Sequence, residues 1–226
     1  MNANNSNRAK LTLPPVIAGI IGDRTLTRRI IGRNSQRVYA VGKDLYLKIS
    51  SNLGELRRER DIDIWLEGKL PLGMTVPRVG AYDEVTDPKD DTTYGYLLTT
   101  AVHGTPASSP PYIKDAVRLC DLLAEALHIF HSLSIKGCPA ASAESTHKTL
   151  IHGDFCLPNI ILHRSRVSGF VDLGQVTVGD PWEDYAWCLW SLQYNLKTNA
   201  YHPLLLDKLG IAFAPEKYKK YIPYEN

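Results

Sequence analysis

Leu150-Ile-His-Gly-Asp-Phe-Cys-Leu-Pro-Asn-Ile160 carries an aspartate and an asparagine five positions apart, Asp154 and Asn159, between two apolar runs. Thirteen positions after Asn159, Asp172 stands in Gly169-Phe-Val-Asp-Leu-Gly174. The runs 149–152, 160–163 and 167–172 read as short strands, so the three polar residues fall in a loop and at a strand end. Taken singly, His152-Gly-Asp would be a turn with an Asx bond, and Asp172 a strand-end cap. Their order, spacing and strand context together disfavour that reading. Transfer of a phosphoryl group needs a carboxylate to orient the accepting hydroxyl, and oxygen ligands for a metal that bridges the phosphates. Magnesium prefers carboxylate and amide oxygens. Asp154 as base, with Asn159 and Asp172 as metal ligands, supplies these parts.

Upstream of this stretch the pattern is strand-rich. Residues 37–40 and 44–49 are β-branched and aromatic runs joined by Gly42-Lys43, a hairpin turn. Residues 54–70 read as a helix, and 76–79 begin an extended segment. The stretch 83–93, with Pro88 and adjacent aspartates, reads as a loop, and 94–101 as a further strand. The Pro-, Ser- and Gly-rich segment 104–111 marks a lobe boundary. The clearest helix is 112–133, whose stripe is Leu119, Leu122, Leu123, Leu127, Phe130 and Leu133. A short polar connection, 134–148, leads to the quoted stretch. Helices follow at 181–196, 203–209 and 215–221. Strands plus one helix, then mostly helices, make an α+β chain in two lobes: a tail over 1–13, an N-terminal lobe over 14–102 and a C-terminal lobe over 103–226.

His-Gly-Asp, four residues, Asn, and then Val-Asp-Leu-Gly resemble the catalytic and metal-binding motifs of the aminoglycoside phosphotransferases, which share the protein-kinase fold. Asp180-Pro-Trp-Glu-Asp-Tyr-Ala-Trp187, Trp65-Leu-Glu-Gly-Lys-Leu-Pro71 and Tyr96-Leu-Leu-Thr-Thr-Ala-Val-His-Gly104 also look like the 3′-phosphotransferase branch. The resemblance covers roughly residues 20 to 225. It implies transfer of the γ-phosphate of ATP or GTP, with Mg2+, to a small-molecule hydroxyl, with an aminoglycoside antibiotic as the default acceptor. It also implies a set of nucleotide contacts. Lys48 would meet the α- and β-phosphates, with Glu59 as its salt-bridge partner and Glu55 as the competing carboxylate. Ser35, in Gly32-Arg-Asn-Ser35, would lie in the phosphate-covering loop. Thr100 and Val102 would offer hinge backbone to the purine, with Thr99 as the pocket-controlling residue. His152 would buttress the metal-binding loop and Asp184 would bond the catalytic-loop backbone. His128 and His131, i and i+3 on a helix without a matching Cys/His pair, read as helix-surface histidines.

Three departures from the family concern the acceptor. Only residues 134–148 stand where members carry a long helical insert. Gln175 takes the place of an arginine. Tyr194 stands near an expected acid, and Glu225 and Asn226 end the chain. Other acids that could line the site are Asp180 and Glu183. Two other readings follow: the same chemistry on a less cationic acceptor, or a non-catalytic nucleotide-binding relic, which would have no need of Asp154.

The composition fits these readings. The chain has 226 residues, 44% hydrophobic and 22% charged, so it can bury a core. A net charge of +2 gives no field for nucleic acid and no support for a membrane role. Cys120, Cys138, Cys156 and Cys188 form no CxxC pair and read as reduced, packed thiols. The polar N-terminus lacks an apolar signal region, which points to a cytoplasmic protein. Oligomeric state is not legible in the sequence.

Overall fold

The computed structural model describes residues 13–29, 37–141 and 148–223. By its contacts the chain divides into two compact units, residues 1–53 with 80–99, and residues 54–79 with 100–226.

The first unit is an antiparallel sheet backed by a short helix. Helix α1 (Pro15–Ile21) opens on a proline, whose missing N–H costs a first turn nothing. Ile17 and Ile21, four apart, are fully buried on one face. The strands are β1 (Leu26–Arg29), β2 (Arg37–Val41), β3 (Leu45–Ser50), β4 (Val79–Asp87) and β5 (Thr92–Thr100), in the order β1-β2-β3-β5-β4. In β2 and β3, Val38 pairs with Lys48 and Ala40 with Tyr46. The expected turn at Gly42 is present, with φ +61°, a conformation natural to glycine. Ile17, Ile21, Val41, Leu47, Ile49, Tyr96 and Leu98 form this unit's core.

One expectation fails here. Residues 83–93 are mostly strand, not loop, and only 88–91 turn. β4 lies at the sheet edge, where acidic side chains remain solvated, so Asp83 and Glu84 do not disqualify it. Thr86 and Thr93 hydroxyls meet across the hairpin at 2.9 Å.

The second unit holds α2 (Leu53–Leu66) from residue 54 onward, then β6 (Thr105–Pro106), α3 (Pro110–Ile113), α4 (Ala116–His131), β7 (Thr149–Ile151), β8 (Ile160–His163), β9 (Arg166–Phe170), β10 (Thr177–Gly179), α5 (Trp182–Leu196), α6 (His202–Leu209) and α7 (Pro215–Tyr221). The helix expected over 112–133 is interrupted. The Asp115 carboxylate accepts from the Arg118 N–H at 3.0 Å and caps α4 at its start, which leaves α3 separate. The α4 stripe from Leu119 to Phe130 is buried and centres the core with Leu150, Phe155, Phe170 and Leu189. Two small sheets complete the unit, β6-β8-β9 and β10-β7. β10 pairs antiparallel with β7, Thr177 opposite Ile151, which returns the chain past Asp172 to the strand before His152. No helix among the described residues is long and apolar enough to cross a membrane.

Candidate active site

Strand β7 ends at Ile151, and the loop carrying Asp154 begins there. Gly153 adopts φ +79°, and a Cβ on it would lie 2.5 Å from the Gln175 carbonyl oxygen, so only glycine fits. The backbone then tightens: Cys156 N–H donates to the Asp154 carbonyl at 2.8 Å, and Asn159 N–H to that of Cys156 at 2.9 Å. One turn of 3₁₀ helix, Leu157–Asn159, delivers the asparagine.

Asp154 and Asn159 form a bonded pair. The Asn159 side-chain amide donates to both the Asp154 carbonyl and its Oδ2, each at 2.9 Å. Both amide hydrogens are thereby used, and Oδ1 is the face of Asn159 left for a further partner. Asn159 is buried, whereas Asp154 is half-buried.

Asp172 follows strand β9. Val171 N–H donates to the Asn159 carbonyl at 3.0 Å, so a main-chain bond ties Asn159 to the residue before Asp172. Asp172 itself is left-handed, φ 62° and ψ 55°. A non-glycine residue holds that conformation at a cost of about 1–2 kcal/mol, and such strain concentrates at functional sites.

A buried carboxylate braces this loop from behind. Asp184, on the first turn of α5, is fully buried. Its Oδ2 accepts from His152 N–H at 2.8 Å and from His131 Nε2 at 3.0 Å, and its Oδ1 accepts from Gly153 N–H at 2.8 Å. Asp184 therefore bonds the backbone of the loop that carries Asp154, as expected. His131 corrects the sequence reading: its side chain is 10% exposed and faces Asp184, not solvent. His128 is exposed, as expected. His152 lies among Phe130 and Phe155. Its Nε2 donates to the Val171 carbonyl at 3.1 Å, joining the residue before Gly153 to the strand that leads to Asp172. Ser191, which sequence reasoning did not single out, accepts from Leu157 N–H at 3.0 Å.

Helix α2 fastens the segment after Asp172. Arg58 donates to the Val176 carbonyl at 2.9 Å. A Cβ on Gly174 would stand 3.5 Å from the Glu59 Cβ and 3.7 Å from the Glu55 Cγ. Of these two glutamates, Glu59 is the buried one. Lys48 lies in β3, half-buried, in the other unit.

The chain beyond β5 is pinned on both sides. Thr100 N–H donates to the Arg78 carbonyl at 2.9 Å, and the Thr100 hydroxyl accepts from Arg78 N–H at 3.0 Å. Ser168 donates from its hydroxyl to the His103 carbonyl. Between these anchors, no described residue accepts from Val102 N–H. Thr99 is buried. Ser35 and its loop, residues 142–147 of the connection, and Glu225 and Asn226 lie outside the described residues.

Of the other acids named for the acceptor, Asp180 is committed elsewhere. Asp180 accepts from Lys217 Nζ at 3.0 Å and from Trp182 N–H at 3.1 Å. Burial, reinforced by the Asp184 charge, holds the Glu183 carboxyl above the usual range.

Hard oxygen donors on a bonded loop, braced by a buried carboxylate, are the parts of a phosphoryl-transfer site. The model of the phosphotransferase enzyme family matches residues 27–147 and 139–221, nearly the whole chain. The chain belongs to the phosphotransferase enzyme family. It is 26% identical to an aminoglycoside 3′-phosphotransferase of Enterococcus faecalis, over 95% of this chain and 97% of that one. A probable aminoglycoside 3′-phosphotransferase of Lactococcus lactis subsp. lactis (strain IL1403) is 28% identical, over 73% and 75%. Among solved structures, the aminoglycoside phosphotransferase APH(3″)-Id of Streptomyces rimosus, in complex with ADP and streptomycin, superposes with a TM-score of 0.70. That match has 21% identity and covers 92% of this chain and 94% of that one. The α+β, protein-kinase-like fold expected from the sequence is the fold of these enzymes.

Proposed function

We propose that this enzyme transfers the γ-phosphate of ATP or GTP to a hydroxyl of an aminoglycoside, with Asp154 as the catalytic base and in the cytoplasm, where nucleoside triphosphates are found. The observation that carries the reading is the Asp154–Asn159 pair. Asn159 spends both amide hydrogens on Asp154, which orients the carboxylate and leaves its own Oδ1 to serve a metal ion. A nucleotide-binding relic would have no use for so constrained a carboxylate.

In this mechanism Asp154 accepts the proton of the acceptor hydroxyl as the hydroxyl oxygen attacks the γ-phosphorus in line, and the bond from that phosphorus to the β,γ-bridging oxygen breaks to release ADP or GDP. Asn159 Oδ1 and the Asp172 carboxylate would hold Mg2+. Their chemistry fits it, since both are hard oxygen donors and neither imidazole nor thiolate is in the set. Bound there, the ion would neutralise charge that develops on the β- and γ-phosphate oxygens. Lys48, positioned by Glu59, would meet the α- and β-phosphates. The Thr100 carbonyl and Val102 N–H would read the purine edge, and Ser35 would lie over the triphosphate. On this reading the nucleotide lobe is 14–102, and the catalytic and acceptor lobe is 103–226.

The test is incubation of the dialysed protein with γ-labelled ATP, magnesium, and a panel of kanamycin, neomycin and streptomycin. Magnesium-dependent label on at least one drug is expected. Nucleotide binding with no transfer to any of them would overturn the proposal.

A further inference from the structure

Two histidines that the scheme above does not use lie ring to ring. His103 precedes β6 and His163 ends β8. Their ring centroids are 4.2 Å apart, with 55° between the planes. The sheet brings them together, since β6 pairs antiparallel with β8, Thr105 opposite Leu162. The residue between His103 and that pairing is Gly104, and a Cβ on it would stand 2.4 Å from the Leu162 carbonyl oxygen. Glycine there lets the two backbones approach. The Ser168 hydroxyl donates to the His103 carbonyl and holds the main chain beneath the first ring. His103 is exposed and His163 half-buried, so the pair opens to solvent.

Packing alone accounts poorly for this contact. An exposed imidazole gains little by covering another, and two imidazolium ions this close repel. Partial burial, then the His103 and Arg164 charges, hold the His163 imidazole below its ordinary pKa, which favours the neutral form that ligates metal. Two neutral imidazoles on one face are nitrogen donors for a borderline transition-metal ion such as Zn2+, Ni2+ or Cu2+, and not for Mg2+ or Ca2+. With metal–nitrogen bonds of ~2.1 Å, a tetrahedral ion sets the centres of two imidazoles about 5 Å apart, so these rings need to separate by only about 1 Å. His103, being exposed, can turn that far. Among the described residues no group of three or more His, Cys, Asp or Glu is gathered for a metal, so water completes the shell and the ion exchanges readily. The Arg164 charge opposes a cation, but at an exposed site solvent and salt screen it.

We propose that His103 and His163 form a two-imidazole site for a borderline transition-metal ion, which clamps the segment after Val102 to the end of β8. Its donors are separate from Asn159 and Asp172, and the proposal does not rest on the phosphoryl-transfer reading. Calorimetry with Ni2+ on the untagged full chain, stripped of metal and held in saturating Mg2+ to fill oxygen sites, reads it directly. Binding of a single Ni2+ is expected in wild type, weakened about tenfold or more in His103→Ala and in His163→Ala. In the wild-type chain Ni2+ is also expected to protect both rings from diethyl pyrocarbonate, as read by mass spectrometry, which keeps the test independent of how the variants fold. No Ni2+ binding, an affinity within twofold of wild type in either variant, or modification of both rings at the same rate with and without Ni2+ overturns the site.

Discussion

The loop of Asp154 is bonded to the middle of α5 where Leu157 N–H donates to Ser191, yet the loop and the far end of that helix are built in opposite ways. The loop is over-determined. Asp184 accepts three bonds behind it, Asn159 fixes the carboxylate in front, and Gly153 leaves no room for a Cβ. The end of α5 is held by ring contacts at the surface. Whatever the acceptor, phosphoryl transfer makes the same demand on base and metal ligands, so that machinery tolerates little change. The exposed side chains at the end of α5 can be replaced at little cost in stability, so that face can be rewritten freely.

This contrast can be broken most severely at Asp184. Asp184→Ala leaves two main-chain N–H groups and His131 without their acceptor. Each unsatisfied buried donor costs about 1–3 kcal/mol, so a loss on the order of 3 kcal/mol is expected in urea unfolding. Denaturation within ~0.5 kcal/mol of wild type would show that the brace is idle. At the next level, Asn159→Ala and Asp172→Asn should each shift the magnesium titration of nucleotide binding to higher concentration, and EDTA should reproduce the loss in wild type. An unchanged titration in both variants would mean that other groups hold the ion.

Substitutions at the far end of α5 should behave oppositely. Tyr194→Ala is expected to change unfolding stability by no more than ~0.5 kcal/mol. A large stability loss would make Tyr194 a structural residue. The smallest effect concerns Cys156, where burial, then the Asp154 charge and a thiol bond to it, push the thiol far above its ordinary range. Iodoacetamide at pH 8 should label Cys156 far more slowly than a free thiol, as read by mass spectrometry. Fast labelling would contradict that environment.

Much of this was legible in the chain. The spacing of Asp154, Asn159 and Asp172 marked the candidate site because short strands on either side leave few places for polar side chains to go. Runs of β-branched and aromatic residues on either side of Gly42-Lys43 marked β2 and β3. Asp184 was legible through its setting in Asp180-Pro-Trp-Glu-Asp-Tyr-Ala-Trp187. His131 was misread because helical spacing gives the face on which a residue lies, not what meets it. Its partner is 53 positions away. Strand β4 was obscured by acids that an edge tolerates, and β10 by its three-residue length. The start of α4 was set by a single capping carboxylate, Asp115, inside an otherwise continuous apolar period. The exposure of the aromatic residues on α5 could not be foreseen, because aromatic residues at helical spacing ordinarily mean a core.

The central claim is that Asp154 acts on the acceptor hydroxyl and not on the nucleotide. It is tested most directly by Asp154→Ala, with the rate of phosphate transfer and the affinity for ATP measured on the same preparation. Loss of a positioned base costs ~10²–10⁴-fold in rate. The account predicts a loss of that size with ATP affinity within about twofold of wild type. Transfer within a few-fold of wild type, or a loss of rate matched by a loss of ATP affinity, would contradict it.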